Sequence, residues 1–252
     1  MSWTTFALTF PILLPLLWIC LYSPQRPPAV LTNKTITLLI AHPDDEAMFF
    51  SPTLLALAPH NKVQVLCLST GNADGLGEIR KGELVSSCRE LGVASDDDVV
   101  VIDDAGMPDS MTRTWPASKI AQYLERYAAD SDAILTFDEG GVSSHPNHIS
   151  LLHGAREFVA GKKTIKKLYK LTSVPILRKY LSVFDVPLTF RAAARSESEK
   201  AFVFVSSSKQ VRTAQRAMTD SHVSQMRWFR WGWIGLSRYM VVNDLVEENL
   251  RG

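Results

Sequence analysis

One short stretch concentrates an imidazole and three carboxylates: His42, Asp44, Asp45 and Glu46 in AHPDDEAMFF, Ala41 to Phe50, directly behind the apolar run Thr35 to Ile40. A single carboxylate at the start of a helix would be an ordinary cap, favoured by the helix dipole. Three in a row behind a histidine repel phosphate and attract a cation. The H-x-x-D spacing of His42 and Asp45 lets a strand-to-helix turn bring both to one metal while Asp44 stays free. Glu46 reads as a favourable first-turn carboxylate. A second concentration lies at Glu139-Gly-Gly-Val-Ser-Ser-His145-Pro-Asn-His148, where glycines permit turns closed to other residues and two of the chain's six histidines stand three apart. Two histidines and one carboxylate form a catalytic zinc complement with a position open for water, whose pKa would fall to about 7. The same set resembles the facial triad of non-haem iron, so Fe2+ or another divalent ion is the alternative to Zn2+. A lone histidine is more often a cap or a loop hydrogen-bonder, and His60, His153 and His222 keep that default.

Both motifs need elements that place them together. Strands are expected at Thr35 to Ala41, Val63 to Ser69, Val99 to Asp103 and Ala133 to Phe137, and helices at Glu46 to Ala58, Glu78 to Leu91, Pro116 to Ala129 and His148 to Ala160. Nearly continuous apolar strands alternating with helices predict an α/β fold, a Rossmann-like, doubly wound and mostly parallel sheet. Ligands bind outside the carboxyl ends of such strands, and both motifs follow a strand there. Farther on, Leu168 to Val174 and Ala201 to Val205 read as strands and Gln210 to Trp228 as a helix.

The chain has 252 residues, 46% hydrophobic and 21% charged, enough for one full α/β core plus an appendage. A net charge of +1 with basic residues spread along the chain excludes nucleic acid as an expected partner. Three cysteines at unrelated spacings argue against a disulfide framework. The appendage is Trp3 to Tyr22, apolar, bounded by aromatic residues and of membrane length. No Lys or Arg precedes it, which favours an anchor over a cleaved signal peptide. Arg26 and Lys34 follow it, so the bulk of the chain is expected in the cytosol. The expected division is a membrane anchor over 1–24, a proline-rich linker over 25–34 and a catalytic domain over 35–252. The tail from Met226 to Met240, rich in Trp and Arg, reads equally as a packed terminal helix and as a helix lying in the membrane interface.

AHPDDE followed by a G-G-x-x-x-H-P-N-H loop resembles the PIG-L/LmbE family of metal-dependent de-N-acetylases. Gly77-Glu-Ile-Arg-Lys-Gly-Glu-Leu, Leu177-Arg-Lys-Tyr, His222-Val-Ser-Gln-Met-Arg-Trp-Phe-Arg and Ser237-Arg-Tyr-Met resemble its eukaryotic branch. That branch acts on the glycolipid N-acetylglucosaminyl-phosphatidylinositol in the second step of glycosylphosphatidylinositol (GPI) anchor synthesis, on the cytosolic face of the endoplasmic reticulum. The resemblance implies His42, Asp45 and His148 as metal ligands and Asp44 as the general base. It further implies His145 as the group that stabilises the oxyanion and helps protonate the leaving amine, and Arg80 as a substrate contact. Two positions depart from relatives. Val142-Ser143-Ser144 stands where some bacterial members carry an oxyanion-assisting tyrosine, and Asn147 where many carry Asp. The alternatives are a deacetylase of a soluble acetylated sugar, which would have no use for an anchor, and a membrane-tethered metal-binding protein, which would not need Asp44.

Overall fold

A computed structural model describes residues 27–161, 167–195 and 200–249, together with positions 13, 15 and 18. Its centre is a seven-stranded sheet in the order β3-β2-β1-β4-β5-β7-β6. The strands are β1 (Thr35–Ile40), β2 (Lys62–Cys67), β3 (Val99–Val101), β4 (Ala133–Phe137), β5 (Lys167–Leu171), β6 (Ala201–Val205) and β7 (Val242–Glu247). The first five pair in parallel. β7 lies antiparallel between β5 and β6. The expected mostly parallel sheet is present, with one reversed strand. β2 and β3 lie on one side of β1, and β4 and β5 on the other. Winding therefore changes direction between β1 and β4, and the loops leaving these strands part over a crevice.

The helices are α1 (Asp45–Phe49), α2 (Ser51–Leu57), α3 (Gly77–Glu90), α4 (Ala117–Tyr127), α5 (Gly141–Ser144), α6 (Pro146–Ala160), α7 (Ile176–Lys179), α8 (Val186–Arg195), α9 (Ser208–Arg216) and α10 (Trp228–Leu236). Burial of β1 and β4 on both faces explains why they read as unbroken apolar runs.

Besides the unanticipated helices α5, α7 and α8, three elements differ from expectation. The single helix expected from Glu46 to Ala58 breaks at Phe50, because Pro52 lacks the N–H a continuous helix requires and takes a first-turn position in α2 instead. The helix expected from Gln210 to Trp228 starts earlier, at a capping box between Ser207 and Gln210, and ends earlier. It passes through a π turn at Ala217–Ser221 and stops where His222 is drawn into the core. Trp228 opens a separate helix. The third difference is β7: Val242–Glu247 is a strand that reading from local pattern did not anticipate.

Cys67 and Cys88 are free and buried, in keeping with the absence of a disulfide framework there. Leu31, inside the expected linker, is fully buried. The expected anchor, Trp3 to Tyr22, lies outside the described residues apart from three positions. Among the described residues no helix is long and apolar enough to cross a membrane.

Candidate active site

The crevice at the carboxyl ends of β1 and β4 holds both motifs. The turn from β1 into α1 carries His42, Asp44 and Asp45, and the start of α6 carries His145 and His148. Asp45 Oδ1 lies 3.2 Å from His148 Nε2, and Asp45 Oδ2 lies 3.8 Å from His42 Nδ1. All three residues are buried, and one ligand atom from each falls within 4.8 Å of the others. Asp45 is fixed by the backbone: its Oδ2 accepts the N–H groups of Ala41 at 3.0 Å and His42 at 2.9 Å. His148 is fixed through its other nitrogen, with Nδ1 3.1 Å from the Gly141 carbonyl. That bond makes Nδ1 the donor and leaves the Nε2 lone pair facing Asp45. His148 Nε2 is buried without a hydrogen-bond partner. A buried lone pair opposite a carboxylate is unfavourable until a cation lies between them, so this donor set fits a divalent metal. Burial alone would raise the Asp45 carboxyl, but its two imidazole neighbours, His148 first and His42 second, hold it well below the usual carboxylate range.

Asp44 stands apart from this trio. Its backbone is left-handed at φ 119°, a conformation that few non-glycine residues adopt. Its carboxylate meets two arginines: Arg80 Nη2 lies 3.8 Å from Asp44 Oδ2, and Arg230 is in ion-pair contact with the same oxygen. Arg80 is itself anchored, donating from Nη2 to the Pro43 carbonyl at 2.8 Å and from Nη1 to the Gly71 carbonyl at 2.5 Å. Gly71 has φ 62°, and a Cβ there would lie 2.2 Å from the guanidinium, so glycine is required to seat Arg80.

His145 stacks on His148, with ring centroids 4.7 Å apart. Its Nδ1 accepts the Asn147 N–H at 3.3 Å, which leaves Nε2 to carry the proton of the neutral ring. Burial and the neighbouring imidazoles of His148 and His42 push its pKa down to about 4. At neutral pH the ring therefore presents an N–H donor without charge. The segment where relatives carry a tyrosine is strained, with Val142 at φ 59° and Ser144 at φ 58°. Lys179 holds it, donating to the Val142 carbonyl at 2.7 Å.

All six expected site residues meet in this crevice. Four further contributors were not anticipated. Asp109, on the loop after β3, sits 3.2 Å from His42 Nε2 and 3.8 Å from Arg80 Nη1. With His42 and His145 it forms a second, less buried trio that could hold a metal. Burial would raise its carboxyl, yet the hydrogen bond and charge of His42 keep it below the ordinary value. The signal available was positional, since its loop leaves the same sheet edge. Asn147 lies 3.1 Å from His42 Nε2 and accepts the Ser110 N–H at 3.0 Å, tying the Asp109 loop to the site. Arg230 arrives from α10, far along the chain. Glu46 proves to be more than a first-turn carboxylate: it is fully buried, 2.6 Å from His222 Nε2, and accepts the Asp44 N–H at 3.1 Å. His222 is indeed a hydrogen-bonder, and its partner supports the backbone of Asp44.

Residues 37–159 match the family model described as PIG-L: GlcNAc-PI de-N-acetylase. The chain is 40% identical to the N-acetylglucosaminyl-phosphatidylinositol de-N-acetylase of Arthroderma benhamiae, over 95% of this chain and 96% of that one. It is 41% identical to the Bos taurus protein of the same name, over 83% of this chain and 82% of the other. Among solved structures, the N,N'-diacetylchitobiose deacetylase of Pyrococcus horikoshii shares the fold, with a TM-score of 0.52 at 18% identity over 92% of this chain and 82% of that one. Near-complete coverage of such relatives, with the motif residues gathered at one sheet edge, establishes that the chain belongs to the PIG-L family of GlcNAc-PI de-N-acetylases.

Proposed function

We propose that this chain is a zinc-dependent hydrolase that removes acetate from N-acetylglucosaminyl-phosphatidylinositol, leaving glucosaminyl-phosphatidylinositol, as the second step of GPI-anchor synthesis. The observation that carries this reading is the buried, unpartnered His148 Nε2 facing Asp45, with a separate carboxylate, Asp44, alongside. His42, Asp45 and His148 would hold the ion. Such an ion, when bound, supplies Lewis acidity toward an amide carbonyl and lowers the pKa of a water. Asp44 is the general base: it lies outside the ligand trio and takes the proton from the attacking water. The N–H at His145 Nε2 is placed to donate to the oxygen of the substrate amide as negative charge develops there, the role the missing tyrosine would fill. The proton taken by Asp44 is returned to the nitrogen of the breaking C–N bond, so acetate and a free amine leave. Arg80 orients the substrate beside Asp44.

A lipid substrate stays in its membrane, and the apolar segment Trp3 to Tyr22 suits an anchor that holds the domain at the cytosolic face of the endoplasmic reticulum. Asn33, in the glycosylation sequon Asn33-Lys34-Thr35, is exposed, and in that topology it stays unglycosylated. Glycan at Asn33 would put the domain in the lumen.

The direct test combines metal analysis of the purified protein with acetate release from a GlcNAc-phosphatidylinositol analogue. Asp44→Asn is expected to retain metal while losing roughly 10²–10⁴-fold in rate, the range for a positioned general base. Normal turnover by this variant would overturn the assignment of the base. Equal activity of the chain lacking residues 1–30 on a soluble acetylated sugar and on the glycolipid would favour a soluble substrate.

A further inference from the structure

Arg80 and Arg230 reach Asp44 from different elements, α3 and α10, and both also line a cleft of about 400 Å³ that runs outward from the site. Arg227 lines it as well, so three guanidinium groups face it, and apart from Asp44 at its inner end the one acid among the described lining residues is Asp74. Asp74 offsets Arg227 weakly, from 3.4 Å across an exposed surface. Farther in, the Arg80 and Arg230 side chains are only 12% and 18% exposed. The Nε of each is buried without a hydrogen-bond partner. Buried guanidinium donors without an acceptor are costly, and the arginine fork matches phosphate oxygens in pairs. The outer lip is aromatic: Trp228 and Phe229 belong to the same cleft and are 86% and 53% exposed. Exposed Trp beside Arg is the chemistry of a surface at lipid headgroup depth.

From this geometry we infer that the cleft is the subsite for the phosphodiester of a lipid-linked substrate, with Arg227 and Arg230 binding its oxygens and Trp228 and Phe229 meeting the start of the lipid. The inference rests on the de-N-acetylase reading, since it places the acetamide at the inner end, beside Asp44, and the phosphodiester at the outer end. Arg230 then has a second role. A phosphodiester in the cleft competes with Asp44 for its guanidinium, so arrival of the correct headgroup loosens the ion pair on the proposed base.

Arg227 is exposed and makes one long contact, so it can be changed without disturbing the fold. The test uses the full, metal-loaded chain and compares kcat/KM for a short-chain GlcNAc-phosphatidylinositol with that for an ether-linked GlcNAc-inositol lacking the phosphate. R227Q is expected to lower the ratio of the two values about tenfold, mainly through KM, as loss of one charge-assisted hydrogen bond implies, with partial recovery in R227K. Equal losses on both substrates, or a wild-type enzyme indifferent to the phosphate, would overturn the assignment. A calorimetric arm is independent of turnover. Glycerophosphoinositol is expected to bind wild type and to bind R227Q about tenfold more weakly. Inorganic phosphate binding as tightly as glycerophosphoinositol would make the cleft a general anion site and overturn the headgroup assignment. Absence of acetate release from either substrate would count against the de-N-acetylase reading alone, because the calorimetric result still decides the cleft.

Discussion

Two clusters of buried charge sit in this molecule, and they are built on opposite plans. At the carboxyl ends of β1 and β4, carboxylates and imidazoles converge on a shared space and leave His148 Nε2 without a partner. Beside β7, Arg238 is fully buried between Asp185 and Asp244, at 2.7 Å from each, and Arg178 closes on Asp185 from the other side at the same distance. In the first cluster the donor atoms of two imidazoles and a carboxylate converge on one space, whereas in the second each guanidinium already lies against a carboxylate of the cluster. Buried charge is therefore a poor marker of a site, and so is a lone unpartnered nitrogen such as Arg238 Nη1, unless several ligand atoms converge on one space.

The sharpest way to break this contrast is to remove a member from each cluster and read activity and stability separately. His148→Gln is expected to empty the metal site and lower acetate release by roughly three orders of magnitude or more, with little change in the thermal midpoint. Metal content, turnover and melting of one preparation check it, and retained metal with full turnover would remove His148 from the site. Arg238→Met should do the reverse. Uncompensated charge on Asp244, with Asp185 left to Arg178 alone, is expected to cost about 3–5 kcal/mol of folding stability. Denaturant titration measures that loss, and turnover per folded molecule should not change. A stability close to wild type would show that the second cluster is not held by pairing.

The smallest expected effect lies between the clusters, at His222 and Glu46. Burial lowers the His222 pKa, but the charge and hydrogen bond of Glu46 outweigh it and leave the pKa above 6.5. Because the folded value is the higher one, the stabilisation is fully present below 6.5 and fades as pH rises through the folded pKa. His222→Gln keeps a donor and loses the charge. It is expected to cost about 1.5–3 kcal/mol in mildly acidic buffer and less at alkaline pH. A wild-type to variant difference that is flat with pH would mean His222 is neutral throughout.

The first cluster is legible in the sequence because its chemistry is written in two contiguous stretches, each tied to a strand whose apolar run is easy to recognise. His42, Asp45 and a histidine of the second stretch need no long-range inference beyond the rule that parallel strands open their loops on one edge, and the family resemblance singles out His148. Asp109 and Arg230 are hidden for a different reason. Each is one charged residue among many, and only tertiary packing distinguishes it. Glu46 is hidden by position, since a first-turn carboxylate looks solvated until a histidine 176 residues away is found against it. The second cluster escapes local reading altogether, because β7 owes its place to antiparallel pairing with β5 and β6.

Asp44 carries a cost that its neighbours do not. Its left-handed backbone is natural to glycine and costs a side-chain-bearing residue of order 1–3 kcal/mol. The residue easiest on the backbone of position 44 is thus one that cannot take a proton, and it would also leave Arg80 and Arg230 without their carboxylate. Backbone ease and the proposed proton transfer pull this position in opposite directions. In a lineage released from the need for GPI anchors, glycine at this position would end the proposed proton transfer while the candidate metal ligands stayed intact.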